Sequence, residues 1–217
     1  MPRQSKQRSK KQPTLPTNPS FRQSSLKLPT YDPTGPVDAH VKRIDYLTEA
    51  EVIKLIAGAK QSRNRIRNQL LILMLFRHGY RESEAIMCRR NWIDLNKAVI
   101  WIERLKKGMS RYHPIAGDEM RLLRKHLRTR SDDLPWLFIS ERNQPLSDRS
   151  VRQIVKDAAE AAKLRHVHPH MLRHSCGFYL REKNHDQRMI QEYLGHASPE
   201  STARCTRLSA KAFEGIW

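Results

Sequence analysis

Residues Leu70 to Phe76 form an unbroken apolar run, Leu-Leu-Ile-Leu-Met-Leu-Phe, and it constrains the fold more than any other stretch of the chain. The run has no alternation and no breaker, so it reads as a helix buried in a core rather than as a half-buried strand. It is far short of the roughly 18 to 20 residues that a membrane span needs. No apolar segment follows the basic residues at the N-terminus either, which argues against a secreted precursor. The helix is expected from about Asn64 to Gly79, with the glycine as its stop.

The elements that would cover it can be read on both sides. Thr48 and Glu51 form a T-x-x-E capping box ahead of Val52, Ile53 and Ile56, so a first helix starts there, and order is expected from about Tyr46. Between Lys97 and Ile115 the β-rich Ala98-Val99-Ile100-Trp101-Ile102, the Lys107-Gly108 turn and Tyr112-His113-Pro114-Ile115 predict a hairpin. Further helices are expected at about Asp118–Arg128, Ser147–Lys163 and Pro169–Arg181, the last opened by a proline at a first-turn position. A short helix from Asp186 ends at Gly195, and Ser198-Pro199 begins one more. Trp101, Trp136 and Phe138 are expected in the core, as are Cys88 and Cys176. The fold class is mainly α with a small β-sheet or hairpin, that is α+β, in one domain over residues 46–217.

Charge selects the partner. Lys and Arg number 41 against 22 Asp and Glu, a formal net charge of +19. Such an excess suits a polyanion, because each phosphate neutralised by Lys or Arg releases condensed counterions. Residues 1–45 are expected to be a flexible Pro-rich basic arm that tracks a DNA backbone: Arg3, Lys6, Arg8, Lys10, Lys11, Arg22 and Lys27 meet no acidic residue within the first thirty. Cys88, Cys176 and Cys205 are too scattered for a disulfide framework, which fits a reducing cytosol.

The densest polar constellation is His166-Val167-His168-Pro169-His170-Met171-Leu172-Arg173-His174, with Leu194-Gly195-His196 further on. His170 and His174, four apart on a helix, have the spacing of a metal pair. The glutamate of a metallohydrolase motif is missing between them, so the zinc reading is weak. His170 and Arg173, three apart, suit a phosphate centre better, since a guanidinium clamps nonbridging oxygens while an imidazole moves protons near neutrality. Arg81, in the turn after the apolar helix, is a candidate second clamp.

The boxes His78-Gly79-Tyr80-Arg81-Glu82-Ser83-Glu84, Arg104-Leu105-Lys106-Lys107-Gly108, His168 to His174, and Leu194-Gly195-His196 together resemble, in order and spacing, the tyrosine recombinase (phage integrase) family. Within that family the chain resembles the short fimbrial phase-switch DNA invertases, which carry toward their C-terminal side a Gly-Ile-Trp like Gly215-Ile216-Trp217. The resemblance implies a bacterial, nucleoid-associated enzyme of site-specific DNA inversion or integration, acting without metal or high-energy cofactor. It implies a homotetramer on double-stranded DNA with inverted repeats, helped by accessory DNA-bending proteins. It makes Arg81 and Arg173 the clamp on the scissile phosphate and Lys107, with Lys106 as rival, the acid for the leaving 5′-oxygen. His170 becomes the base or phosphate ligand, and His196 the second site histidine.

One position departs from the family. Its nucleophilic tyrosine stands nine residues after the last histidine, where this chain has Cys205, and the six tyrosines of this chain all precede His196. A thiolate is a good nucleophile, and nearby arginines lower its pKa. It is also several ångströms shorter than a phenol, and about 1 Å of misplacement can cost on the order of 10²-fold. Normal turnover is therefore not expected, and the chain reads as an inactive or trapped recombinase; the alternative is a catalytically dead DNA-binding regulator of the same fold. DNA contacts are expected from Lys106, Arg111, Arg149, Arg152 and Lys156.

Overall fold

In a computed structural model, the residues described are 45–105, 108–197, 199 and 202. The arm over residues 1–44, Lys106, Lys107 and Cys205 lie outside them. Among the described residues α-helices run in the order α1 (Glu49–Gly58), α2 (Arg65–Arg77), α3 (Glu82–Ile86), α4 (Gly117–Arg128), α5 (Asp148–Ala161), α6 (Pro169–Glu182) and α7 (Gln187–Leu194). Three strands, β1 (Ile93–Asp94), β2 (Val99–Ile102) and β3 (Arg111–Pro114), stand between α3 and α4.

The apolar run is the pillar of the domain. Residues Leu70 to Phe76 are all buried within α2. Each such side chain contributes about 1.5–3 kcal/mol on removal from water. Around α2 pack α1, α4 and α6, and α5 packs against α1. The capping box at α1 is complete: Glu51 N donates to Thr48 Oγ1 (3.3 Å), and Thr48 N donates to Glu51 Oε2 (2.8 Å). Just before it Leu47 N donates to Ser175 Oγ (2.7 Å) and Tyr46 stacks on Phe178, so the start of the domain lies along α6.

The hairpin gains a third strand. β1, β2 and β3 form an antiparallel sheet in sequence order, with Ile100 opposite His113 and Trp101 opposite Tyr112. Alternation turns Ile100, Ile102 and His113 into the core. Trp101 therefore points the other way: it is half-buried, donates Nε1–H to Glu103 Oε2 (2.7 Å) and packs edge-on against exposed Tyr112. The expectation of a core Trp101 is corrected by strand parity, and Trp136 is only partly buried too, whereas Phe138, Cys88 and Cys176 are buried. Boundaries shift by a residue or two, as when Ser147 caps α5 rather than opening it, its hydroxyl accepting from Ser150 N. Pro199 and Thr202 are helical, and the rest of that segment lies outside the described residues.

Candidate active site

Two helices end at one point. α2 closes at Arg77, and Gly79 then takes φ +56°, a left-handed turn that swings the chain into α3 with Arg81 as its N-cap. α7 closes at Leu194, and Gly195 takes φ +64°, so that Gly195 and His196 N–H groups return to the last turn of the helix. A Cβ on Gly79 would lie 2.3 Å from Leu194 Cδ2, which shows how closely the two turns meet. One turn presents Arg81 and the other His196, although 115 positions separate them along the chain.

A helix C-terminus leaves carbonyls without intrahelical partners. Here arginines take them. Arg173, buried on α6, donates Nη1 to Gly79 O and Nη2 to Leu194 O (2.7 Å). Arg104, which follows β2, donates Nη2 to His78 O (2.7 Å) and Tyr193 O (2.9 Å) and Nη1 to Gly79 O (3.2 Å). Glu84 of α3 neutralises the cluster. Its Oε2 accepts from Arg104 Nη1 (2.8 Å) and Arg81 N (2.9 Å), its Oε1 accepts from Arg81 Nη1 (2.5 Å), and Arg173 Nη1 stands 3.8 Å away. The carboxyl group is held below the usual range against its own burial, with Arg104 the leading stabilising charge.

The histidines sit in the same field. Desolvation first, then Arg173, Arg81 and Arg104, bring His196 down to about 3. His170 falls to about 4 through desolvation, His174 and Arg173. Both imidazoles are therefore neutral at pH 7 and able to accept a proton. His196 Nδ1 lies 2.9 Å from Thr202 Oγ1, which fixes its ring. The His170 and His174 rings meet edge to face at 4.6 Å, and Asp45, at the start of the domain, reaches His168 (3.2 Å) and His174 (3.8 Å). Among the described residues no three His, Cys, Asp or Glu side chains are grouped so that they could hold a metal ion.

Of the residues singled out in the sequence, Arg81, Arg173 and His196 are thus gathered at the meeting of the turns, with His170 one helical turn from Arg173. Arg149, Arg152 and Lys156 are exposed along one stripe of α5, and Arg152 Nε donates to Glu82 Oε2 (2.9 Å) beside Arg81. Arg111 on β3 pairs with Glu192 of α7 (3.0 Å). Lys106, Lys107 and Cys205 lie outside the described residues. Sequence reading missed Arg104 as part of the site, although a signal existed: Ile100, Ile102 and Arg104 share one parity, which puts Arg104 on the buried side. It also missed the buried polar chain Glu119–His78–His113, in which His78 Nε2 lies 2.7 Å from Glu119 Oε1 and its Nδ1 3.3 Å from His113 Nδ1.

Residues 45–211 match the profile of the Phage integrase family. The type 1 fimbriae regulatory protein FimB of Escherichia coli is 39% identical over 181 residues, covering 81% of this chain and 90% of its own length. The tyrosine recombinase XerA of Pyrococcus furiosus is 37% identical over 168 residues, covering 76% of this chain and 58% of its own. Among solved structures, the crystal structure of XerA recombinase superposes with a TM-score of 0.70 at 27% identity, covering 77% of this chain and 62% of that one. The chain thus spans less than two thirds of the XerA recombinases and nearly all of FimB. Four boxes in the family's order, a mainly helical domain with a small antiparallel sheet, and these likenesses agree: the chain belongs to the phage integrase family of site-specific tyrosine recombinases.

Proposed function

We propose that this protein binds double-stranded DNA at inverted-repeat sites and that its fold is built to cleave and rejoin the strands, as a homotetramer assisted by DNA-bending proteins. One observation carries the reading: three arginines and a histidine, contributed by two turns, a strand end and helix α6, converge on a single centre, with Arg81, Arg104 and Arg173 gathered around Glu84 and His196 in their field. Arg81 and Arg173 supply the bidentate charge that a phosphate in transit requires. The negative charge of a bound phosphate offsets the arginines that hold His170 and His196 neutral, so that the two imidazoles take and return protons there. Lys107 delivers the proton to the leaving 5′-oxygen, and Lys106 and Arg111 assist along the strand. The stripe of Arg149, Arg152 and Lys156, with the basic arm, supplies backbone contacts spread over many phosphates.

The covalent step attaches the 3′-phosphate to the nucleophile and releases a 5′-hydroxyl, so rejoining needs no outside energy. Cys205 holds the nucleophile's position and is too short for efficient attack, which makes this chain a trapped or binding-only form of the enzyme. The test is to incubate the protein and its Cys205→Tyr variant with DNA carrying paired inverted repeats and to look for SDS-resistant complexes. Adducts with tyrosine alone are expected. Adducts with neither, on DNA that both proteins demonstrably bind, would sink the assignment of position 205 and favour a regulator that binds without cutting.

A further inference from the structure

The family resemblance assigns no role to Arg104, yet among the described residues no side chain near the site is more completely enclosed. Its side chain is 0% exposed, and its two terminal nitrogens make four hydrogen bonds: His78 O, Gly79 O, Tyr193 O and Glu84 Oε2. A buried cation is tolerated only when paired and hydrogen-bonded, and Glu84 supplies the counter-charge. The three carbonyls are not random acceptors. They belong to the C-terminal ends of α2 and α7, where the helix dipoles concentrate negative charge. A planar fork with five donors can serve two such ends at once, which an ammonium cannot do with the same fixed geometry.

The stem of the residue is as constrained as its head. A Cβ added at Gly195 would lie 2.8 Å from Arg104 Cγ, and one added at Gly108 would lie 2.8 Å from Arg104 Cβ. The backbone N–H of Arg104 donates to Ser110 Oγ (2.9 Å), which holds it to the returning limb of the hairpin. The guanidinium also stands 5.8 Å from the centre of the buried Tyr80 ring, one residue before Arg81. So one residue ties three segments together: its side chain bonds the turn that presents Arg81 and the turn that presents His196, and its backbone N–H bonds the limb that leads into β3.

We propose that Arg104 is a positioning residue for strand transfer: it holds the Gly79–Arg81 turn and the Tyr193–His196 turn at a fixed separation, so that Arg81 and His196 address the same phosphate as Arg173. Arg173 takes Gly79 O and Leu194 O in the same junction, so Arg104 carries the capping of both helix ends that Arg173 would give up on turning toward a phosphate. This assignment rests on the recombinase reading above.

The test places Arg104→Lys in the Cys205→Tyr background and measures single-turnover adduct formation at saturating DNA beside the DNA dissociation constant. Lysine keeps the charge facing Glu84 and loses the fork. Adduct formation is expected to slow by about 10- to 10²-fold, the scale of a misplacement near 1 Å, with the dissociation constant unchanged within about twofold. Amide exchange on the full-length chain is read alongside, with faster exchange expected at residues 78–81 and 193–196 and no change in α1. An unchanged adduct rate overturns the proposal. So does a rate that falls together with DNA affinity while exchange rises across the whole domain, because that describes a general fold role. Ser110→Ala, which loosens the same anchor without disturbing buried charge, covers the case in which the lysine variant does not fold; unchanged exchange at both turns in Ser110→Ala then overturns the proposal. If Cys205→Tyr with Arg104 intact forms no adduct, the recombinase assignment fails separately, and exchange alone decides the role of Arg104.

Discussion

Gly79 faces Leu194 so closely that a single added methyl group would stand 2.3 Å from Leu194 Cδ2. Gly79→Ala is therefore expected to suffer twice. Its φ of +56° costs an L-residue roughly 1–2 kcal/mol, and the methyl must push the end of α7 away. Urea denaturation should show a lowered midpoint, and in the Cys205→Tyr background adduct yield should fall further than stability does, because the same shift displaces Arg81 from His196.

Glu84 is the counter-ion of the junction, with its side chain fully buried. Replacing it by Gln leaves Arg104 enclosed with a charge and no anion, a situation that typically costs about 3–5 kcal/mol. Equilibrium unfolding measures the loss. A Glu84→Gln protein as stable as its parent would show that water reaches Arg104.

Acid should weaken the fold through His113. Burial above all, then His78, Arg104 and Arg111, lower its pKa to about 2, whereas an unfolded histidine titrates near 6.5. The unfolded chain thus binds the extra proton first, so this group's contribution is fully present above about pH 6.5 and is lost as the pH falls toward 2. The slope is about 1.4 kcal/mol per pH unit for this one group. Urea midpoints at pH 7 and pH 5 give the combined slope. His113→Phe, which keeps a ring against Tyr193 where His113 now stacks, should flatten it.

DNA binding should depend on salt through the α5 stripe. Replacing Arg149 or Lys156 by Ala is expected to weaken binding about equally for all sequences and to reduce the slope of log K against log salt by about one for each phosphate that is no longer neutralised. Titrations at several salt concentrations read it directly. A change in sequence preference instead would mean that the residue touches a base edge.

Arg173→Ala in the Cys205→Tyr background should abolish covalent adducts while much of the DNA affinity survives, since affinity is spread over many phosphates. Gel retardation beside SDS-resistant complex formation separates the two effects. Equal adduct yield would remove Arg173 from its role.

What can be read in the sequence is whatever local chemistry announces: the buried α2 from an unbroken apolar run, the capping box of α1, the prolyl start of α6 and the glycine stop of α7. Arg81, Arg173, His170 and His196 are visible because spacing and residue type agree with a family. Arg104 escapes notice because its importance lies in acceptors 25, 26 and 89 positions away, carbonyls that every residue owns and no motif displays. The pairing of His78 with Glu119 and His113 stays hidden for the same reason, as it joins the residue after α2 to α4 and β3 across 41 and 35 positions. Trp101 is misplaced when aromatic size is given more weight than strand parity.

The contacts that assemble the junction are among the longest in sequence: Arg77 to Tyr193 spans 116 positions, Gly79 to Arg173 spans 94, and Arg104 to Tyr193 spans 89. Closing a chain over such distances costs more conformational entropy than the local contacts within α2. During synthesis α2 can form while the arginine clamp has no second jaw, because α6 and α7, which bring Arg173 and His196, follow it in the chain. A nascent polypeptide that lacks α6 and α7 therefore has no junction, and the topology itself ties the arginine centre to a folded domain.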